Sequence, residues 1–126
     1  MGPTKSYKEL IVWQKAKDLA IEVYRFTEKF PKSELFGLTS QMRRAAVSVS
    51  SNIAESYNRF HRKEKDQFFA IAFGSCSELE SQIEIAKVLF PNCGYETSSS
   101  LLLEIGKMLN TLLAKNFSDL DVSGEK

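Results

Sequence analysis

Along this chain hydrophobic residues return every three or four positions, the spacing that lines up one face of an α-helix. Val12, Ala16, Leu19, Val23, Phe26 and Phe30 form one such seam, widened by Trp13 and Ala20. It predicts a helix from Tyr7 to Lys29, stopped by Pro31, because the residue before a proline is pushed out of helical space. Lys32 to Gly37 reads as a connector with room for one helical turn. Met42, Ala45, Ala46, Val49 and Ile53 predict a second helix over Leu38 to Tyr57, followed by a turn at Asn58 to Arg62. Phe69, Ala72, Cys76, Leu79, Ile83, Ala86 and Phe90 predict a third from about Lys63 to Leu89, ended by Pro91. At 1.5 Å per residue it is roughly 40 Å long. After the loop PNCGYE, Thr97 or Ser98 is placed to cap a fourth helix. Its seam is Leu102, Ile105, Leu109 and Leu112, with Leu101, Met108 and Leu113 alongside. Residues 1–6 read as a frayed lead and 117–126 as a flexible polar tail, leaving one domain over 7–116.

Four amphipathic helices joined by short connections predict an all-α fold, an antiparallel up-down-up-down four-helix bundle. Six Gly and three Pro in 126 residues are too few for the many tight turns of an all-β fold. A hydrophobic fraction of 43% is enough to build one core. There is no internal repeat and no low-complexity run. In the predicted topology the start of helix one, the turn after helix two and the end of helix four share one end. That end gathers Lys5, Lys8, Arg59, Arg62, Lys63, Lys65 and Lys115.

The second helix carries more than its apolar seam. Gln41, Arg44, Ser48, Asn52 and Glu55 form a polar stripe beside the buried face, three or four residues apart. Ser75, Glu78 and Gln82 make a matching stripe on helix three. Polar groups buried without partners cost roughly 1–3 kcal/mol each. The stripe Arg44, Ser48, Asn52, Glu55 with Ser75 and Glu78 is therefore read as an inter-helix hydrogen-bond network that fixes register. A binding surface is the alternative.

Net charge is +1, unevenly spread. Residues 1–65 hold 13 Lys/Arg against 7 Asp/Glu, a balance of +6, and residues 66–126 hold 4 against 9, a balance of −5. Such asymmetry accompanies either a nucleic-acid surface or complementary self-association. The turn Arg59-Phe60-His61-Arg62-Lys63, with Lys65, offers cations for phosphates and two rings for stacking on bases. Glu64 and Asp66 follow at once, as suits the positive end of a helix dipole, and weaken the patch. Against nucleic-acid binding stands a plain solvated turn.

Enzyme chemistry finds little here. His61 is the only histidine, so the paired Glu-x-x-His motifs of a di-iron bundle are excluded on count. There is no P-loop and no nucleophile elbow. Cys76 and Cys93 fit no metal spacing, Cys76 falls on the core seam, and both read as reduced thiols. No metal and no cofactor is expected. The rival reading is a small enzyme using Glu55 and Arg44 in a cleft. No signal peptide and no membrane-spanning run is visible, so a cytoplasmic location without membrane association is expected.

With LIVWQKA at 10–16, FP at 30–31, LTSQMRRAAVSVSSNIAE at 38–55 and AFGSCSELE at 72–80, the chain resembles a family of bacterial four-helix bundle proteins. These are the 23S rRNA intervening-sequence proteins and their relatives, among them the accessory protein of diversity-generating retroelements. The resemblance runs from Tyr7 to Asn116. The family usually has Gly after NIAE, where Ser56 stands here. It often has Ser at the start of helix three, where His61 stands, and a basic residue before GS, where Phe73 stands. The resemblance implies a bundle that assembles as a ring, commonly a homopentamer, of largely unassigned role. The retroelement relatives are basic, bind nucleic acid and partner a reverse transcriptase. The expectation is therefore a non-enzymatic, self-associating scaffold. Its candidate partners are itself, RNA or DNA, and a nucleic-acid enzyme.

Overall fold

In the computed structural model residues 6–122 are described, with side chains through Leu113. Four helices follow one another: α1 Ile11–Thr27, α2 Leu38–Tyr57, α3 Arg62–Leu89 and α4 Glu96–Val122. Among the described residues there is no strand. α2 lies between α1 and α3, and α4 lies between α3 and α1. Neither diagonal pair is in close contact, so the helices stand at the corners of a square. The protein is an all-α four-helix bundle.

The core is the set of seams the periodicity marks. Leu19 and Val23 of α1, Met42 and Val49 of α2, Leu79 and Ile83 of α3, and Ile105 and Leu109 of α4 are all buried in it. Truncating any of the leucines or isoleucines among them to alanine costs about 2–5 kcal/mol by lost transfer energy and a residual cavity. Lys15 reaches Glu104 at 2.6 Å and ties α1 to α4 at the surface. At one end Phe26, Phe30, Phe90 and Tyr95 close the bundle. Ring centroids are 4.8 Å apart for Phe26–Tyr95 and for Phe30–Phe90.

Both ends of α1 and both ends of α4 differ from the sequence expectation. α1 begins at Ile11 rather than Tyr7. Ser6 caps a short 3₁₀ turn over Tyr7–Glu9, accepting from the Lys8 amide at 3.1 Å, and Leu10 is extended with ψ 127°. α1 also stops at Thr27, ahead of Lys29. Lys29 and Phe30 donate to Phe26 and Thr27, three residues back, so the helix tightens before Pro31. The other two differences are at α4. Its first backbone bond runs from Ser99 N–H to Tyr95 O, so Tyr95 holds the cap position and neither Thr97 nor Ser98 does. α4 continues to Val122, past the boundary expected at Phe117. Residues 123–126 and the lead through Lys5 lie outside the described residues.

Two glycines stand at the turns that open helices, and the first of them is required by its backbone. Gly94 has φ +79°, which lets PNCGYE turn back toward α4. Gly37 opens α2, and a β-carbon there would lie 2.9 Å from Glu34 Oε1, which accepts the Leu38 amide.

Candidate functional site

The polar stripe of α2 meets α3 only in part. Ser48 Oγ and Ser75 Oγ are hydrogen-bonded at 2.8 Å across the helix pair. Asn52 Nδ2 donates to Ser48 O at 2.8 Å and to Ser48 Oγ at 3.1 Å. These contacts join Asn52, Ser48 and Ser75 into one chain. On α3, Gln82 Nε2 donates to Glu78 Oε2 at 3.1 Å, while Gln82 Oε1 is buried without a partner among the described residues. The charged members of the stripe stand apart. Arg44 is exposed and makes no polar contact among the described residues, and Gln41 is also exposed. Glu55 is exposed and pairs with Arg59 on its own side of the turn, at 2.8 Å. The expectation that Arg44 and Glu55 bond to α3 is thus corrected. Both side chains extend into water, where an unpaired charge costs nothing to keep. They are eleven residues apart on one helix, about 16 Å of rise, and the fold does not bring them together in a single small cleft.

The basic turn is built from the same kind of local bonding. Ser56 is fully buried at the end of α2, and its Oγ donates to Lys65 O at 3.0 Å. The Lys65 ammonium returns to donate to Ser56 O at 3.1 Å and Tyr57 O at 3.2 Å. Both carbonyls belong to the last turn of α2, and that of Ser56 also accepts from the Arg59 amide at 3.1 Å. Arg59 lies over the Phe68 ring at 4.8 Å besides pairing with Glu55. Arg59 and Lys65 are therefore held by the fold rather than presented. His61, at the cap position of α3, and Lys63 are exposed, and Arg62 is exposed in the first turn. Phe60 projects from the tip at 95% exposure. Lys5 and Lys115, expected at the same end, lie outside the described side chains.

Two side chains that periodicity did not single out bind elements together. Arg43 donates to Thr27 Oγ1 at 2.9 Å, pairs with Glu28 and stacks on Tyr24 at 4.5 Å, joining α2 to the end of α1. Tyr95 donates its hydroxyl to Phe90 O at 2.7 Å and closes α3 while opening α4. Burial, with Cys93 beside it, holds its phenol well above the usual range. An arginine next to a polar stripe and a tyrosine in a loop carry no spacing signal of their own.

Two grooves mark the surface. One, about 960 Å³, runs over α2 from Leu35, Phe36 and Val47 to Arg44, Ser75 and Glu78. The other, about 420 Å³, lies between α1 and α2 and is mostly apolar. Neither is lined by a histidine or a cysteine. Cys76 is buried in the core, and burial, with a smaller push from Glu80, raises its thiol to about 12. At neutral pH it stays protonated. Cys76 and Cys93 are both free thiols. Among the described residues no helix is long and apolar enough to cross a membrane.

The profile of the family described as 23S rRNA-intervening sequence protein matches residues 8–111. The chain belongs to this family. A crystal structure of a protein of unknown function from the S23 ribosomal protein family of Bacteroides thetaiotaomicron has the same fold. Its TM-score is 0.69 at 22% identity, over 82% of this chain and 98% of that one. Comparison with functionally curated proteins finds no match. Seen on the fold, the three departures from the 23S rRNA-intervening sequence pattern have separate consequences. Ser56 adds a buried hydroxyl that bonds to α3. His61 takes a cap position without supplying a side-chain cap bond. Phe73 leaves an aromatic ring partly exposed.

Proposed function

We propose that this protein is a non-enzymatic helical scaffold that works as a homo-oligomer, with a ring of five as its assembly. The observation that carries this is the apolar surface left outside a closed core. Ile21, Tyr24, Val47, Phe73, Val88 and Leu103 are exposed, although each helix already buries a complete seam. Scattered apolar side chains are ordinary, but Ile21 and Tyr24 line one groove and Tyr24 and Val47 the next, and contiguous apolar surface marks interfaces. The number five rests on family resemblance alone. Light scattering tests the reading: the mass should be several times 14.3 kDa at micromolar concentration. A clean monomer there would remove it.

Weak, sequence-independent binding of RNA or DNA is a second reading, favoured by one feature, the exposed Phe60 flanked by exposed His61 and Lys63. A ring repeats this turn, and affinity from counterion release grows with the number of phosphate contacts. A nucleic-acid enzyme is the partner such an adapter would serve. Fluorescence anisotropy with single-stranded RNA and duplex DNA, at low and physiological salt, is the test. Binding should fall steeply with salt and weaken in Phe60→Ala/Lys63→Ala. No binding at low salt leaves a protein scaffold alone.

A further inference from the structure

From the larger groove and the polar groups left without partners in it, we infer that this protein binds the carboxyl-terminal end of another protein's chain. The bound segment ends in a large apolar residue. This goes beyond self-association and draws on none of the apolar side chains offered for it.

The groove measures about 960 Å³, at the upper end of the roughly 300–1,000 Å³ typical of ligand sites. Its apolar wall stands ahead of α2. A short 3₁₀ turn over Lys32–Glu34 leads into it. The Leu35 and Gly37 amides donate to Lys32 O and Glu34 O, at 3.1 and 2.9 Å. These bonds pin the connector, and Leu35 and Phe36 line the groove from it, with Phe36 93% exposed.

Beyond this wall the groove turns polar. Arg44 lines it with no polar contact among the described residues, whereas its neighbour Arg43 is engaged by Thr27, Glu28 and Tyr24. Ser40 and Ser51 also line it, and neither hydroxyl has a partner among the described residues. The Ser48–Ser75 bond sets the register of α2 against α3. Glu78, one turn past Ser75, therefore comes level with Arg44, one turn before Ser48. The two line the same groove without pairing. Glu78 accepts from Gln82 Nε2, while Gln82 Oε1 has no partner among the described residues. The α2 side thus holds donors in excess and the α3 side acceptors.

That set selects among ligands. A nucleic-acid strand brings a charge with every phosphate, but among the described residues Arg44 is the groove's free cation, and Glu78 stands against it. A fatty acid suits Arg44 and the apolar wall but offers Glu78 no donor. The last residue of a peptide answers all three. Its carboxylate takes a charge-assisted, bidentate pair from Arg44. Its own amide N–H is placed to donate to Glu78, and its side chain to lie on Leu35 and Phe36. Capture of a terminal carboxylate is a recurring mode of peptide recognition. Ser40 and Ser51 offer hydroxyls to the peptide backbone. They stand eleven residues apart, about 16 Å along the helix, which about five residues of extended chain span.

Fluorescence anisotropy with the fluorescein-labelled pentapeptide Ser-Ala-Ser-Ala-Phe tests this. The peptide is used as the free acid, as the terminal amide, and with Ser in place of the terminal Phe. The free acid should bind with a Kd below about 1 mM, and the amide about tenfold more weakly. Arg44→Gln should weaken the free acid by that factor and leave the amide unchanged. Phe36→Ser should weaken the Phe-ended peptide but not the Ser-ended one. Phe60→Ser, at the far end of α2, should change nothing. All three positions are exposed, so circular dichroism should show the same helix content in every variant. Free acid and amide bound alike would overturn the inference, as would Arg44→Gln weakening both alike. Failure of the free acid to bind at about 1 mM protein would also overturn it. Binding of dodecanoate without binding of the peptide would replace the peptide by a fatty acid.

Discussion

Replacing Lys65 with methionine should loosen the junction between α2 and α3 by about 1–2 kcal/mol. The ammonium donates to Ser56 O and Tyr57 O, at 3.1 and 3.2 Å. Hydrogen bonds from a charged donor contribute about 1.5–3 kcal/mol when well shielded. Here Lys65 is only partly buried, so water can replace the lost donor at the carbonyls, and the two bonds together are discounted to that lower figure. Methionine keeps the length and the apolar stem, so packing changes little. Ser56→Ala removes the reciprocal bond to Lys65 O, 3.0 Å long and fully buried at its hydroxyl end, at about 1 kcal/mol. With a urea slope of about 2 kcal/mol per molar, the middle of the usual range, Lys65→Met should lower the midpoint by roughly 0.5–1 M. Melts must be run at one protein concentration, because assembly adds apparent stability. The double variant should cost less than the sum of the singles, since both act on one clasp. An unchanged midpoint for Lys65→Met would show that these carbonyls are as well served by water, and would return Lys65 to the set of cations free to bind phosphate.

Asn52→Ala should lower stability by about 1 kcal/mol, because it breaks both bonds to Ser48, whereas exposed Arg44→Ala should leave urea midpoints within about 0.5 kcal/mol. Equal losses would mean that Arg44 has a buried partner. Ser98 is fully buried with no partner for its hydroxyl among the described residues, so Ser98→Ala should raise the melting midpoint, by about 1 kcal/mol of stability, and a fall would refute the reading. The Cys76 thiol stands at about 12 in the fold against 9.0 ordinarily, so the native state holds a proton that the unfolded chain releases. Its contribution is constant below about pH 9 and is lost as pH rises toward 12, with a slope of up to about 1.4 kcal/mol per pH unit. Cys76→Ala should flatten the alkaline fall in urea midpoint, and an identical fall in both proteins would refute the assignment.

The four helices were legible because each has a seam repeating every three or four residues, and burial of those seams is what folds the chain. Leu19, Met42, Leu79 and Leu109 are buried where the pattern placed them. Pro31 and Pro91 marked two of the breaks, though the first helix ended earlier than its proline required, at Thr27. A stripe three or four residues long in period could be read as lying beside the core, but not how far beyond the core each side chain reaches. Ser48 and Asn52 are short and stay at the helix contact. Arg44 and Glu55 are long enough to leave it, and only the packed pair of helices shows that they do. The basic turn likewise reads as six cations and aromatics in sequence. The tertiary structure decides that Lys65 turns back onto α2 and Arg59 onto Phe68 and Glu55, because helix-end carbonyls and a carboxylate lie nearer than any phosphate would. Arg43 and Tyr95 had no pattern to give them away, since their partners are other elements brought close only by folding. What sequence alone determined is therefore the set of buried faces, a property of spacing. Which polar groups are spent inside the fold and which remain for a partner is a property of distance between elements, and it exists only once they are packed.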